Sequence, residues 1–258
     1  MRRAQEGAVR SRDYYKLAQQ ILTRLRELTD VAKHPLFAER PIKSRLYVFM
    51  TSDRGLAGAY NSNLFKQLVT ELKQDQDNGV SSKVIVIGKK GARMIARLEH
   101  VEVIAAYPEL PEQPQTTDMQ AVLEQVVNLY IEEQVDAVDV IFTDFKSSIS
   151  QIVTVLRLLP AAYTPQLIEQ DDTEKAIFEP SPEQVLEAVS HRLVEVQLWQ
   201  AVLEAQASEH SMRMLAMKTA TDNATELVDD LTLELNTARQ ASITQELAEI
   251  TGGSEAIK

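Results

Sequence analysis

From Glu183 to Thr251 the chain contains neither glycine nor proline, and Leu186, Val189, Leu193, Val196, Leu203, Met214, Met217, Val228, Leu231 and Leu235 recur at alternating three- and four-residue steps. An apolar seam of that period marks one long, coiled-coil-forming helix. Ser181 suits its cap and Pro182 its first helical position, while Thr251-Gly252-Gly253 is expected to end it. At 1.5 Å of rise per residue such a helix spans roughly 100 Å, several times the width of a small domain. Most of it cannot lie on a globular body folded from the rest of the chain, so a protein built this way reaches into something else.

A shorter pattern of the same kind opens the chain. Ala4, Ala8, Ser11, Tyr15, Ala18, Leu22, Leu25 and Thr29 keep the alternation from Arg2 to Lys33, and His34-Pro35 is expected to stop that helix. The middle has a different texture: RLYVFM, KVIVIG, VEVIAAY and VDVIFTDF are β-branched or aromatic runs separated by helical stretches at Asn61 to Leu72, Lys90 to Leu98 and Asp118 to Gln134. That alternation is the signature of an α/β domain. QIVTVLRLLP adds one more strand, and DDTEKAIFEP reads as a hinge. The expected fold is therefore a Rossmann-like, mostly parallel sheet domain flanked by N- and C-terminal helices that form an antiparallel coiled coil. Its segments are an N-terminal helix over 1–34, the α/β domain over 35–180, the long helix over 181–251 and a tail over 252–258.

The two helices do not match in length. The first covers about 48 Å and pairs only with Glu183 to about Arg213. Beyond that point the seam changes, because Thr221, Ala224, Ala238, Ser242 and Gln245 stand where a strong dimeric zipper carries leucine or isoleucine. Small and polar side chains suit a close or sliding contact.

Composition narrows the classes of function. A net charge of −11 argues against nucleic acid as the main partner, since phosphate binding needs a positive excess at the contact surface. No run approaches the roughly 20 apolar residues that cross a bilayer, so membrane association is expected to go through a partner, with no direct insertion. The chain has no cysteine, hence no disulfide and no thiolate metal site.

Chemistry-bearing patterns are weak. TSDRGLAGAYNSN follows the first strand with Gly55 and Gly58 before a helix, a context for anion binding, but it is neither G-x-G-x-x-G nor a Walker loop. The two readings are a small anionic ligand and a structural turn formed by Asp53, Arg54, Gly55 and Gly58, held by an Asp53–Arg54 pair. The second is preferred, because Asp53 repels phosphate unless Arg54 neutralises it. IGKKGARM at 87–94 is a similar strand-glycine-basic junction. His34, His100, His191 and His210 lack the spacing of a zinc helix. No serine stands in a nucleophile elbow. His210 and the methionines 212, 214 and 217 fall at helical spacing and are expected to pack, Trp199 to root the helix on the domain, and Glu226, Asp229, Asp230 and Glu234 to form an acidic face. No catalytic residue, metal ligand or cofactor site is expected.

TSDRGLAGAYNSN and ASEHSMRMLAMKTATDNATELVDDLTLELNTARQASITQELAEI closely resemble the gamma subunit of F-type ATP synthases, with NTARQASITQEL from Asn236 to Leu247 as the most diagnostic run. The resemblance implies a noncatalytic rotor shaft whose long helix turns inside a ring of alternating alpha and beta subunits, driven by a membrane c-ring. It implies that Arg239, Gln240, Thr244 and Glu246 contact beta-subunit loops. Near the domain, Phe178 and Glu179 would meet the c-ring and the epsilon subunit. It also implies a peripheral place on the cytoplasmic face of a bacterial membrane, or on an organellar inner or thylakoid membrane. The cysteine usual in the DRGL turn is Ala57 here and no dithiol insertion is present, so thiol control is not expected. Family members begin roughly two dozen residues earlier, in a stretch that would pair with the outer half of the long helix. A start assigned too late, at an internal methionine, is the expectation, with a truncated shaft as the alternative.

A stand-alone binding protein that dimerises through its coiled coil and a scaffold docking one static partner are the competing readings. The seam favours neither, since a homodimer zipper would not weaken toward Ala238, Ser242 and Gln245.

Overall fold

The computed structural model describes residues 21–22, 25, 29–98, 101–109, 111, 114–147, 150–161 and 179–255. In chain order the elements are β1 (Ser44–Met50), α1 (Tyr60–Asp77), β2 (Ser81–Ile87), α2 (Lys89–Ile95), β3 (Glu102–Tyr107), α3 (Gln120–Ile131), β4 (Ala137–Phe145), β5 (Gln151–Leu159) and α4 (Pro182–Glu255). Short 3-10 turns lie at Val31–Lys33 and Thr116–Met119.

The sheet runs β3-β2-β1-β4-β5. The first four strands are parallel, an arrangement that suits the largely buried runs of β1, β2 and β4, while β3 lies at the edge; β5 returns antiparallel along β4 with Asp139 opposite Arg157. Side-chain alternation sorts the core onto the two faces. Leu46, Val48 and Met50 of β1 join Val138, Val140 and Phe142 in one cluster that includes Val122 and Val126 of α3 and Leu186, Leu193 and Leu198 of α4. Tyr47 and Phe49 point the other way, into a cluster with Tyr60, Leu64 and Leu68 of α1 and Ile95 of α2.

Leu22 and Leu25, both fully buried, belong to the cluster that α4 packs on, and Ile21, Leu22 and Leu25 are helical. The rest of the expected N-terminal helix and its seam lie outside the described residues. That helix does not reach Lys33: Thr29 bends the chain, and Val31–Lys33 form a separate 3-10 turn with a hydrogen bond from His34 N–H to the Val31 carbonyl.

Two boundaries moved for physical reasons. α1 runs past Leu72 to Asp77, because its polar last turns are held by Asp75, which accepts from the Tyr47 hydroxyl at 2.7 Å and the Ser82 hydroxyl at 3.0 Å. α4 continues through Gly252 and Gly253 to Glu255. A glycine costs a helix only about 1 kcal/mol relative to alanine, too little to end one by itself.

The chain divides into two compact units, Met1–Arg213 and Met214–Lys258. The first holds the sheet and the part of α4 that packs on it, with Trp199 half-buried against the core. In the second, every residue from Met217 to Ile250 is exposed. Five of its threonines are satisfied within the helix: Thr221, Thr225, Thr232, Thr237 and Thr244 each donate to the carbonyl four residues back, at 2.7–3.0 Å. Met214 and Met217, expected to pack, are 55% and 39% exposed, because a seam position says which way a side chain points and not whether a neighbour stands there.

Candidate functional site

Two places carry the residues singled out from the sequence. The first is the turn between β1 and α1. Leu56, at φ 63°, and Gly58, at φ 56°, both take left-handed backbone, a conformation uncommon for leucine. The loop is stitched by short polar contacts. Ser52 N–H donates to the Asn61 side-chain oxygen at 3.1 Å, the Asn61 amide donates to Ser52 Oγ at 2.7 Å, and Ser52 Oγ donates to the Arg54 carbonyl at 2.7 Å.

The turn is also tied to distant elements. Asp53 accepts the Lys89 backbone N–H at 3.0 Å, at the start of α2, and Thr51 Oγ1 accepts the Gly91 N–H at 2.8 Å. From α4, Arg213 donates to the Gly55 carbonyl at 3.3 Å and pairs with Glu209 at 2.5 Å. Tyr60, fully buried, donates to the Ala205 carbonyl at 3.2 Å. Burial pushes its phenol pKa up, and the charge of Glu209 adds to the rise. Lys89 holds the exposed Glu109 carboxyl below its ordinary range through a hydrogen bond and its charge.

These groups enclose a cavity of about 490 Å³ whose charged lining is Asp53, Arg54, Lys89, Glu109, Glu209 and Arg213. Three cations face three anions, and Asp53 already takes the Lys89 amide that an incoming phosphate would need. The lining thus lacks the positive excess that an anion cradle requires. His210, expected on the packed seam, is exposed and lines this cavity. Reading the sequence missed Tyr60, Glu209 and Arg213; the only local signal was the i,i+4 spacing of the last two.

Gly88 joins β2 to α2 and packs against Thr51 at the end of β1. Its φ of 99° belongs to glycine, and a Cβ there would lie 2.3 Å from the Thr51 carbonyl oxygen. Gly88→Ala should therefore cost about 1–3 kcal/mol from backbone strain, with the clash added. Urea unfolding followed by circular dichroism checks this; an unchanged midpoint would contradict the close approach.

The second place is the outer part of α4. Arg239, Gln240, Thr244 and Glu246 are all exposed. Arg239 and Glu246 stand two turns apart on one face, with Gln240 and Thr244 on the adjoining flank. The Thr244 hydroxyl donates to the Gln240 carbonyl at 2.8 Å. The arrangement places a cation and an anion on one exposed face. Glu179 is exposed just before α4, while Phe178 lies outside the described residues.

The comparisons with known proteins agree with this geometry. The ATP synthase family model matches residues 1–257. The chain is 40% identical to the ATP synthase gamma chain of Moorella thermoacetica over 258 residues, which is 100% of this chain and 89% of that protein. It is also 40% identical to the ATP synthase gamma chain of Opitutus terrae over 263 residues, covering 97% of this chain and 86% of that one. Its fold is similar to the central stalk of the Tetrahymena thermophila mitochondrial ATP synthase, at TM-score 0.55 and 23% identity over 84% of this chain and 99% of that one. It is likewise similar to a chain of the Euglena gracilis mitochondrial ATP synthase, at TM-score 0.60 and 18% identity over 99% of this chain and 94% of that one. A sheet domain and a long C-terminal helix, matched along almost the whole chain by the family model and by two gamma chains, make this chain a member of the ATP synthase gamma-chain family.

Proposed function

We propose that the chain is the central rotary shaft of an F-type ATP synthase. It couples proton flow through the membrane sector to ATP synthesis or hydrolysis in a ring of alternating alpha and beta subunits, and it takes part in regulating ATPase activity and proton flow. The observation that carries this reading is α4, a helix of 74 residues whose stretch from Met217 to Ile250 is exposed throughout. A helix so exposed is expected to bury its apolar residues against a partner, and it transmits torque because its backbone hydrogen bonds are internal. In this role the chain breaks no bonds. Its asymmetric surface favours a different shape of each beta subunit in turn, so binding energy is exchanged for conformational change.

Arg239, Gln240, Thr244 and Glu246 are the residues that meet the beta loops, with the two charges forming contacts that break and re-form at each step. Glu179 and Phe178 belong to the foot, against the c-ring and the epsilon subunit. The protein sits peripherally on the cytoplasmic face of the membrane; among the described residues no helix is long and apolar enough to cross one. The turn at Asp53, Arg54, Gly55 and Gly58 serves as structural support for the base of the shaft and takes no cofactor.

Co-purification tests the reading: the full chain should elute with alpha and beta subunits as one complex, and a chain that never joins them would contradict it. Arg239→Gln should slow rotation-coupled hydrolysis about two- to fivefold, the value of an exposed charge contact of roughly 0.5–1 kcal/mol. The urea midpoint of the isolated chain should not move. An unchanged rate would remove Arg239 from the contact.

A further inference from the structure

Away from the turn, a second cavity of about 310 Å³ opens between α3 and α4. Its floor is apolar: Met119, Leu123 and Leu198 are 3%, 6% and 1% exposed, and the Trp199 ring lies half-buried beside them. His191, Glu195, Leu198 and Trp199 come from one face of α4 at i, i+4, i+7 and i+8. Opposite them stand Gln120, Leu123 and Glu124 of α3. Among the described residues the lining holds two carboxylates and a histidine and no lysine or arginine.

Among the described residues the carboxylates are held by neighbours on their own helices. Glu124 accepts from the Gln120 amide at 3.0 Å, and Glu195 pairs with the exposed Arg192 at 2.5 Å. Such exposed pairs are worth a few tenths of a kcal/mol and exchange readily for a better-placed partner. An aromatic wall with carboxylates at its rim suits a guanidinium, which stacks on the indole and forks onto a carboxylate in the same plane. An ammonium would gain the charge contact without the stacking fit, and an anion would be repelled.

We propose that this cleft receives an arginine side chain from a subunit seated against the α/β domain. The proposal rests on the reading of the chain as the shaft of a larger complex. Trp199 is the only tryptophan and the chain has no cysteine, so both a fluorescence reporter and a single labelling site are at hand.

Titrating the full chain with N-acetyl-arginine amide should give a saturating change in Trp199 emission. The affinity should fall at least fivefold in the Glu124→Gln, Glu195→Gln double variant, whose urea midpoint should stay unchanged because both side chains are on the rim. The neutral citrulline counterpart should give no saturation. A response equal for citrulline, or equal in the double variant, overturns the site. The source is tested with Thr117→Cys carrying a photoreactive benzophenone, in a complex rebuilt with alpha, beta, epsilon and c-ring subunits. The crosslink should fall on a subunit peptide whose arginine, changed to glutamine, abolishes it. A complex that assembles without such a crosslink overturns the partner assignment, leaving a site for small organic cations only. A chain that binds the probe yet never joins the ring contradicts the shaft reading instead.

Discussion

A chain carrying Leu231→Pro should assemble with its partners, yet membrane vesicles containing it should make no ATP and their ATP hydrolysis should pump no protons. Leu231 is 54% exposed, in the stretch of α4 from Met217 to Ile250 that is exposed throughout. Proline there removes one backbone hydrogen bond and drives its ring against the carbonyl one turn back, a cost of about 3 kcal/mol or more. The side chains around it are exposed, so little packing opposes the resulting bend. A kink of about 20° acting over the roughly 22 Å to Glu246 carries that side chain about 7 Å off axis, beyond the reach of any charge contact it makes. Leu231→Ala is the control, since it keeps the backbone ladder and should keep coupling. Normal coupling in the proline variant would mean that this helix bears no torque.

The second large effect belongs to the sheet. Asp139→Ala should lower the stability of the α/β domain by about 3 kcal/mol, the low end of the cost of breaking a buried pair, because its two cation partners are only partly buried. Asp139 is 2% exposed. It pairs with Arg45 of β1 at 3.2 Å and, in a bidentate contact, with Arg157 of β5. Arg45 also reaches Asp75 at the end of α1, at 3.4 Å. One carboxylate therefore ties the antiparallel edge strand to the parallel core. Burial pushes the Tyr47 phenol pKa up, and its hydrogen bond to Asp75 raises it further, so the tyrosine stays a neutral donor within this cluster. Against a typical domain stability of 5–15 kcal/mol the loss is large, and it should appear as a lower urea midpoint with early release of β5 in hydrogen exchange. A shift below about 1 kcal/mol would mean that the cluster is merely tolerated.

That cluster also marks where the sequence stopped being readable. β1, β2 and β4 were legible because RLYVFM, KVIVIG and VDVIFTDF are continuous buried runs, which parallel strands covered on both faces require. The run QIVTVLRLLP announced a strand but not its direction. Direction was available from a neglected fact: the connection from Phe145 to Gln151 is too short for a crossover, so only an antiparallel return fits. The last turns of α1 were hidden because their anchor is a polar residue, Asp75, whose partners Tyr47 and Ser82 lie on two strands. In the same way DRGLAG was visible as a turn, whereas its ties to Lys89 and Arg213 come from residues far along the chain. His210 shows the complementary limit, since its helical register was read correctly and its surroundings were not.

The role of shaft was legible for another reason: it depends on helix length and an uninterrupted period, which are local properties of the chain. Arg239 and Glu246 stand exposed on α4, as the proposed contact requires.

The most direct test is rotation itself. The full chain, with Thr117→Cys as its single thiol, is assembled with alpha and beta subunits fixed to a surface, and a bead is attached through that thiol. On adding ATP the bead should turn in one direction. An assembled complex that hydrolyses ATP while the bead stays still would contradict the rotary shaft.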